Sequence, residues 1–502
     1  MKRKLLFLFI FFVYGIVVKS SAQETEELSP IEKSGYLKNT SYNEAEKYIE
    51  KLSSDYTNMH VDIIGKSVQG RKIQMVHVLP DEDKGKIKVL LIGQQHGNEP
   101  AGKESLLMLL QNIAKGTEDS ILTNIDLYVI PMVNPDGNEA GKRANANGED
   151  LNRDHLLMSQ PEVIAVQKAY AQIDPDVTLD VHEYTSFRKE FRKAGYVRTD
   201  DEEFGAPTNL NISSGMRNYA LEQFFPYLKA ELGNKGVSFS NYYKMNNPDV
   251  TVRASSTAID DGRQSFAILG SFSFILEGRD GRNMNDDLKR RVTRQLIAVE
   301  KFLEFVNIKN REIKALTAEE KKHLMESTEL VALQMDYVYS GDKIGMSMQM
   351  LDTKTDTVMQ LPYSPAVKIF SSVNRPEAYF IPKAQDGVIK FLDLHGIKYI
   401  TTKKNYSLSV EKYSVLDKKK VWMENKSFYL PVLSSRNENV ITEPGDIIVP
   451  LKQRAGMLTI IAFEPASMWG LCQSVEFESL CRKGSDYPIF RVPVFKGLGN
   501  DN

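Results

Sequence analysis

Gly93-Gln94-Gln95-His96-Gly97-Asn98-Glu99-Pro100 follows the apolar run Val89-Leu90-Leu91-Ile92 and precedes Glu104-Ser105-Leu106-Leu107-Met108-Leu109-Leu110, which reads as a helix. A short buried strand, a polar turn and a helix are one repeat of an open α/β sheet, whose ligands bind past the C-terminal strand ends. His96 and Glu99 stand at that place. An imidazole and a carboxylate three residues apart can reach one divalent ion, and nitrogen with oxygen ligands suits zinc. Alone, an HxxE is a weak signal. Two further stretches strengthen it: Val177-Thr178-Leu179-Asp180-Val181-His182 is an apolar strand ending in histidine, and Phe272-Ser273-Phe274-Ile275-Leu276-Glu277 is one ending in glutamate. Three strands that each deliver a metal ligand or a carboxylate at the same end point to one site.

The chain has 502 residues, 42% hydrophobic and 26% charged, which is long enough for two or three domains with full cores. A net charge of -2 gives no footprint for a nucleic-acid partner or an anionic membrane surface. At the N-terminus, Lys2-Arg3-Lys4 is a basic region, Leu5 to Val18 an apolar core, and Ser20-Ser21-Ala22 a small-residue stretch before Gln23. That pattern is a signal peptide over residues 1–22, removed on export, and no later run is apolar enough to span a bilayer. The expected location is the periplasm or the medium. Cys472 and Cys481 could close a small loop in an oxidising compartment, or remain free.

Periodicity predicts a helix over Tyr42 to Tyr56, strands at His60 to Ile64, Lys72 to Leu79 and Lys86 to Ile92, and a strand at Leu127 to Ile130. A helix over Pro161 to Ile173, a strand at Val177 to Val181, a long helix over Ser214 to Leu232, a strand over Phe266 to Leu276 and a helix over Asp286 to Val306 follow. This alternation predicts a mixed, mostly parallel sheet flanked by helices. The pattern changes past a charged linker at Asn307 to Lys314: one charged helix near Ala318 to Glu329, then short β-rich stretches. The expected organisation is a catalytic domain over 34–306 and a smaller β-rich accessory domain over 315–502.

Two histidines and a glutamate leave one position open on a zinc ion, the arrangement of a catalytic rather than a structural site. A bound zinc lowers the pKa of a water and polarises a carbonyl, and a nearby carboxylate can move the proton, for which Glu277 is the candidate. Between the ligands lie Asn134-Pro135-Asp136-Gly137 and the glycine-punctuated stretch from Arg143 to Asp154. The two arginines of that stretch, Arg143 and Arg153, can fork onto a carboxylate or a developing oxyanion.

Taken together, His96, Glu99, the Asn152-Arg153 pair, His182 and Glu277 resemble in order and rough spacing the zinc metallocarboxypeptidases of the funnelin type, over about the first 300 residues. The resemblance implies His96, Glu99 and His182 as ligands of one zinc ion per chain and Glu277 as general acid/base. It also implies Arg143 as the oxyanion stabiliser, Asn152 and Arg153 as holders of the free C-terminal carboxylate of a peptide substrate, and Asp150 as the carboxylate that orients the first zinc histidine. Glu183 alternates to the other face of its strand and is not a ligand. Digestive members carry a mobile tyrosine on the loop before the catalytic strand; Thr251 to Gly270 contains none, and Tyr242 and Tyr243 lie further upstream. Asp260-Asp261-Gly262-Arg263 occupies that approach, with Arg263 either a second carboxylate anchor or a partner in a local salt bridge. Gly93 to Gly102, Asp150 to Leu157, Val181 to Thr185 and the long C-terminal extension resemble a group of exported bacterial members. The same site would serve an amidohydrolase acting on cell-wall peptides or N-acyl amino acids. A non-catalytic peptide- or glycan-binding module would keep the fold but has no use for Glu277.

Overall fold

The structure, a computed structural model, describes residues 28–79, 85–117, 119–245, 247–383 and 385–497. The signal peptide expected at 1–22 lies outside the described residues. The first ten strands are β1 (Met59–Lys66), β2 (Lys72–Val78), β3 (Ile87–Gly93), β4 (Ile125–Ile130), β5 (Val177–Tyr184), β6 (Tyr196–Arg198), β7 (Glu202–Gly205), β8 (Phe239–Asn241), β9 (Val252–Arg253) and β10 (Phe272–Arg279). Eight of them form one sheet in the order β1-β2-β4-β3-β5-β10-β7-β8. β4, β3, β5 and β10 run parallel through its centre; β1–β2, β2–β4 and β10–β7 are antiparallel, and the outermost β7–β8 pair is parallel. The mixed sheet expected from the sequence is thus the observed one.

Helices cover both faces, and the pleat divides the apolar residues between them. Val89 and Leu91 of β3 pack in one core with helices Tyr42–Asp55, Pro100–Ala114 and Leu288–Ile308. Leu90 and Ile92 pack in the other core, against Pro161–Ile173. Both faces are buried, so β3 reads as a continuous apolar run. β5 and β10 are less even. Val177, Leu179, Val181, Phe272, Phe274 and Leu276 all lie in the first core. Alternation places Thr178, Asp180, His182, Ser273 and Glu277 on the opposite face, where Thr178 Oγ1 donates to Ser273 Oγ at 2.6 Å.

Two expected boundaries are corrected. Phe266 to Leu276 is not one strand: Gly262–Ala267 is a helix and the strand begins at Phe272. Asp261 starts that helix by accepting from the Gln264 amide at 2.8 Å, a cap that apolar periodicity hides. Asn307 to Lys314 is not a linker either. A helix over Asn310–Glu326 follows almost directly on Leu288–Ile308, because Ile313, Thr317 and Leu324 give it a buried face.

The later strands are β11 (Val331–Val338), β12 (Lys343–Met350), β13 (Asp356–Ser364), β14 (Ala366–Val373), β15 (Ala378–Ile381), β16 (Ile400–Thr401), β17 (Ser407–Met423), β18 (Lys426–Ile441), β19 (Ile447–Pro450) and β20 (Phe490–Val492). Six of them make a second sheet, β16-β19-β15-β20-β17-β18. Others join strands from before residue 306: β12 pairs antiparallel with β6, and β13 pairs parallel with β9. β17 and β18 form a long hairpin closed by Glu424-Asn425, both left-handed with φ of 49° and 59°. Cys472 and Cys481 are buried, with their sulfurs 2.6 Å apart.

Candidate metal centre and cleft

β3 and β5 are neighbours in the sheet, so the turn after β3 and the end of β5 meet. There His96, Glu99 and His182 converge, each with one ligand atom within 4.8 Å of the others. His96 Nδ1 is 2.9 Å from Glu99 Oε1, His182 Nδ1 is 3.0 Å from Glu99 Oε2, and the two Nδ1 atoms are 3.0 Å apart. All three residues are buried.

The outer nitrogen of each imidazole meets a carboxylate. His96 Nε2 is 3.0 Å from Asp150 Oδ1, and His182 Nε2 is 2.9 Å from Asp180 Oδ2. A carboxylate on Nε2 keeps the proton there and turns the Nδ1 lone pair inward, which is the tautomer a metal needs. The residues therefore fit one divalent cation of the zinc type: two imidazole nitrogens and a carboxylate, oriented before any ion arrives.

Charge follows the same geometry. Burial opposes ionisation of Glu99, but the His96 charge and the hydrogen bonds of both histidines hold its carboxyl well below the usual range. For Asp150, burial is again overcome, here by His96 and by Arg143 and Arg153. For His182, Asp180 outweighs burial and raises the imidazole well above its ordinary value.

Asp180 was not singled out by the motif reading, although the sequence carried a signal for it. Val177-Thr178-Leu179-Asp180-Val181-His182 alternates strictly, so Asp180 shares a face with His182. Behind it runs a buried chain: Gln95 Nε2 donates to Asp180 Oδ2 at 2.8 Å, His155 Nε2 pairs with Gln95 Oε1 at 2.9 Å, and Gln167 Nε2 meets His155 Nδ1 at 2.8 Å. Burial pushes the His155 imidazole down to about 4, so it stays neutral, donating through Nε2 and accepting at Nδ1.

Glu277 lies directly beside His182 in the β5–β10 register, with Glu203 of β7 on its other side. Burial pushes its carboxyl up to about 7, with Glu99 adding to the rise and His182, His96 and Arg143 opposing it. Arg143 Nη1 is 3.0 Å from Glu99 Oε1 and its Nη2 is 3.1 Å from Asp150 Oδ2, half-exposed at the mouth. Asn152 is buried, accepting from the Gly262 amide at 2.8 Å, and Arg153 Nη1 donates to the Asn152 carbonyl. His96, Glu99, Arg143, Asn152, Arg153 and Glu277 all line one cavity of about 140 Å³. Glu183 turns the other way, held by Arg291 at 2.7 and 2.8 Å and by the Ala101 amide at 3.0 Å.

The same cavity holds residues that no motif pointed to, including Tyr242, Lys244, Arg198 and Ser255. Tyr242 stands within electrostatic reach of Glu277, Arg263 and Arg153 together. Arg198 ends β6, Tyr242 and Lys244 follow β8, and Ser255 lies in the loop before β10. Only the fold gathers them.

The sequence profile of zinc carboxypeptidases matches residues 45–176, which contain His96, Glu99 and the Arg143 to Asp154 stretch. Residues 45–176 carry the sequence pattern of a zinc carboxypeptidase domain. Carboxypeptidase 2 of Trichophyton rubrum is 25% identical over 453 residues, covering 85% of this chain and 81% of that protein. A span of that size cannot fit before residue 315, so the similarity reaches beyond the carboxypeptidase domain into the C-terminal sheets. Carboxypeptidase SOL1 of Arabidopsis thaliana is 30% identical over 236 residues, 42% of this chain and 48% of its own. A solved metallo-carboxypeptidase from Pseudomonas aeruginosa overlays 55% of this chain and 71% of that one at 20% identity, with a TM-score of 0.43.

Proposed function

We infer that this chain is a zinc-dependent carboxypeptidase that hydrolyses the last bond of peptides with a free C-terminal carboxylate. The observation that carries this reading is the pair of inward-facing Nδ1 atoms of His96 and His182 converging with Glu99, beside the buried Glu277. When bound there, zinc supplies a Lewis acid that acidifies a water and polarises the scissile carbonyl. Glu277 takes a proton on its carboxylate and returns it to the leaving amine; a carboxyl near 7 can do both. Arg143 offers its guanidinium to the carbonyl oxygen as negative charge develops. Asn152 and Arg153 hold the terminal carboxylate, which confines cleavage to the last residue.

The N-terminal segment makes the protein an exported one, acting in the periplasm or outside the cell. No helix among the described residues is long and apolar enough to cross a membrane. Residues 34–306 carry the chemistry in this reading, and residues 315–502 brace the cleft through β12, β13 and the β17–β18 hairpin. Mass spectrometry of mixed peptides and muropeptides incubated with the protein, with and without a chelator, tests it. Chelator-sensitive loss of single C-terminal residues is the expected result. Cleavage confined to muropeptides would move the activity to cell-wall amides, and no cleavage by zinc-loaded protein would overturn it.

A further inference from the structure

Arg263 is 1% exposed, the largest fully buried side chain among the described residues, and it lines the cavity that contains Glu277. Its Nη2 donates to Ser255 Oγ at 2.6 Å and meets Asp261 Oδ2 at 3.2 Å. Its Nε and Nη1 have no hydrogen-bond partner among the described residues. A guanidinium carries five N–H donors, and leaving some unpaired in a dry site is costly unless something arrives to accept them.

The surroundings hold the guanidinium in the cavity wall. Gly205 packs against Nη1: a Cβ built there would come within 2.7 Å of it, so only a glycine lets the guanidinium lie where it does. The Tyr242 ring lies 5.7 Å from the guanidinium carbon. Ile275 gives the cavity an apolar wall. Asp261 is shared among partners: its other oxygen caps the Gly262–Ala267 helix and its charge also acts on Arg153. Cations crowd this end of the cleft. Burial, with Arg153 and Arg253 nearby, pushes the Lys244 ammonium down to about 8.

We propose that Arg263 is a specificity residue that forks onto the side-chain carboxylate of an acidic C-terminal residue, glutamate or aspartate. The proposal rests on the carboxypeptidase reading, in which Arg153 already holds the α-carboxylate; a substrate with a second carboxylate then satisfies both guanidinium groups. A neutral last residue leaves Nε and Nη1 unpaired, and a basic one adds a like charge.

The test compares N-acylated dipeptides ending in Glu, Gln, Leu or Lys on the zinc-loaded protein. The expected kcat/KM favours Glu over Gln by about 10- to 100-fold, the range for a lost charged hydrogen bond, with Lys last. Arg263→Gln should abolish the preference for Glu over Gln, and Arg263→Lys, which keeps the charge but not the fork, should retain part of it. Leu or Lys cleaved as well as Glu by the wild type would overturn the proposal while leaving the carboxypeptidase reading intact. The wild-type ratios decide the matter even where Arg263→Gln does not fold. Calorimetry of free glutamate against free glutamine separates the two readings further. With no dipeptide cleaved, tighter glutamate binding that is weakened in Arg263→Lys upholds the pocket and overturns the hydrolysis. Equal binding overturns both.

Discussion

Asp180 and His182 sit two positions apart on β5, and the carboxylate of the first accepts a hydrogen bond from Nε2 of the second at 2.9 Å. Gln95 donates to the same Asp180 oxygen, so that oxygen is fixed from behind. Carboxylates placed this way typically contribute 10- to 100-fold to metal affinity. Asp180→Asn should weaken zinc binding by roughly that factor, measured by competition with a chromophoric chelator. Unchanged affinity would leave Asp180 a merely buried acid.

Glu277→Gln should lower kcat by about 10²- to 10⁴-fold, the usual share of a positioned proton carrier, with zinc content by elemental analysis unchanged. Full activity at equal zinc occupancy would remove Glu277 from the chemistry. The wild type should also lose kcat/KM as pH falls, because Glu277 accepts a proton only when ionised. Its carboxyl sits near 7 without a cation, and a bound cation stabilises the ionised form, so the acid limb belongs at or below pH 7. A profile flat from pH 8 to 5 contradicts this.

His155 predicts how the fold responds to acid. Its folded value of about 4 lies below the ordinary 6.5, so the unfolded chain binds the extra proton between those values. Stability is therefore full above about pH 6.5 and declines as pH drops toward 4, by about 3 kcal/mol for this group. Thermal midpoints of the metal-free protein at pH 7.5 and 5 should differ less in His155→Gln than in the wild type. An equal difference would place the acid sensitivity elsewhere.

Glu424 ties the long hairpin to the cleft. Its carboxylate accepts from Thr257 Oγ1 at 2.6 Å, the Thr257 amide at 2.8 Å and Ser256 Oγ at 3.0 Å, and it is buried. Glu424→Ala leaves those donors unpaired and should cost about 3 kcal/mol. Because Ser255 and Arg263 flank that loop, KM should rise with it. Stability and KM both within error of the wild type would deny the loop this support.

The centre of the sheet was legible because β3, β4, β5 and β10 are short apolar runs before polar turns, and HxxE and the strand-end glutamate are local patterns; β7 and β8 carry no apolar run and were not predicted. The helix at Gly262–Ala267 was missed because Phe266 to Ile268 is apolar enough to extend the following strand on paper, while Asp261 caps it as a helix in space. Tyr242, Lys244 and Arg198 left no trace in the sequence as cleft residues: they come from short edge strands and loops whose placement depends on partners far along the chain. The pairing of β12 with β6 joins residues about 150 positions apart, a distance over which no local pattern operates.

The Glu424-Asn425 turn makes the hairpin a ruler. Each strand residue advances the tip by about 3.3 Å, and successive side chains alternate faces. Deleting one residue from each strand would pull Glu424 back beyond hydrogen-bond range of Thr257, and slipping one strand by a single residue would turn its side chains to the wrong face. Glu424 also holds a left-handed backbone conformation that a glycine or asparagine would adopt more readily. Hairpin length is thus measured at the cleft, 167 residues away in sequence, and any relative with a longer or shorter arm must grip that loop by different means.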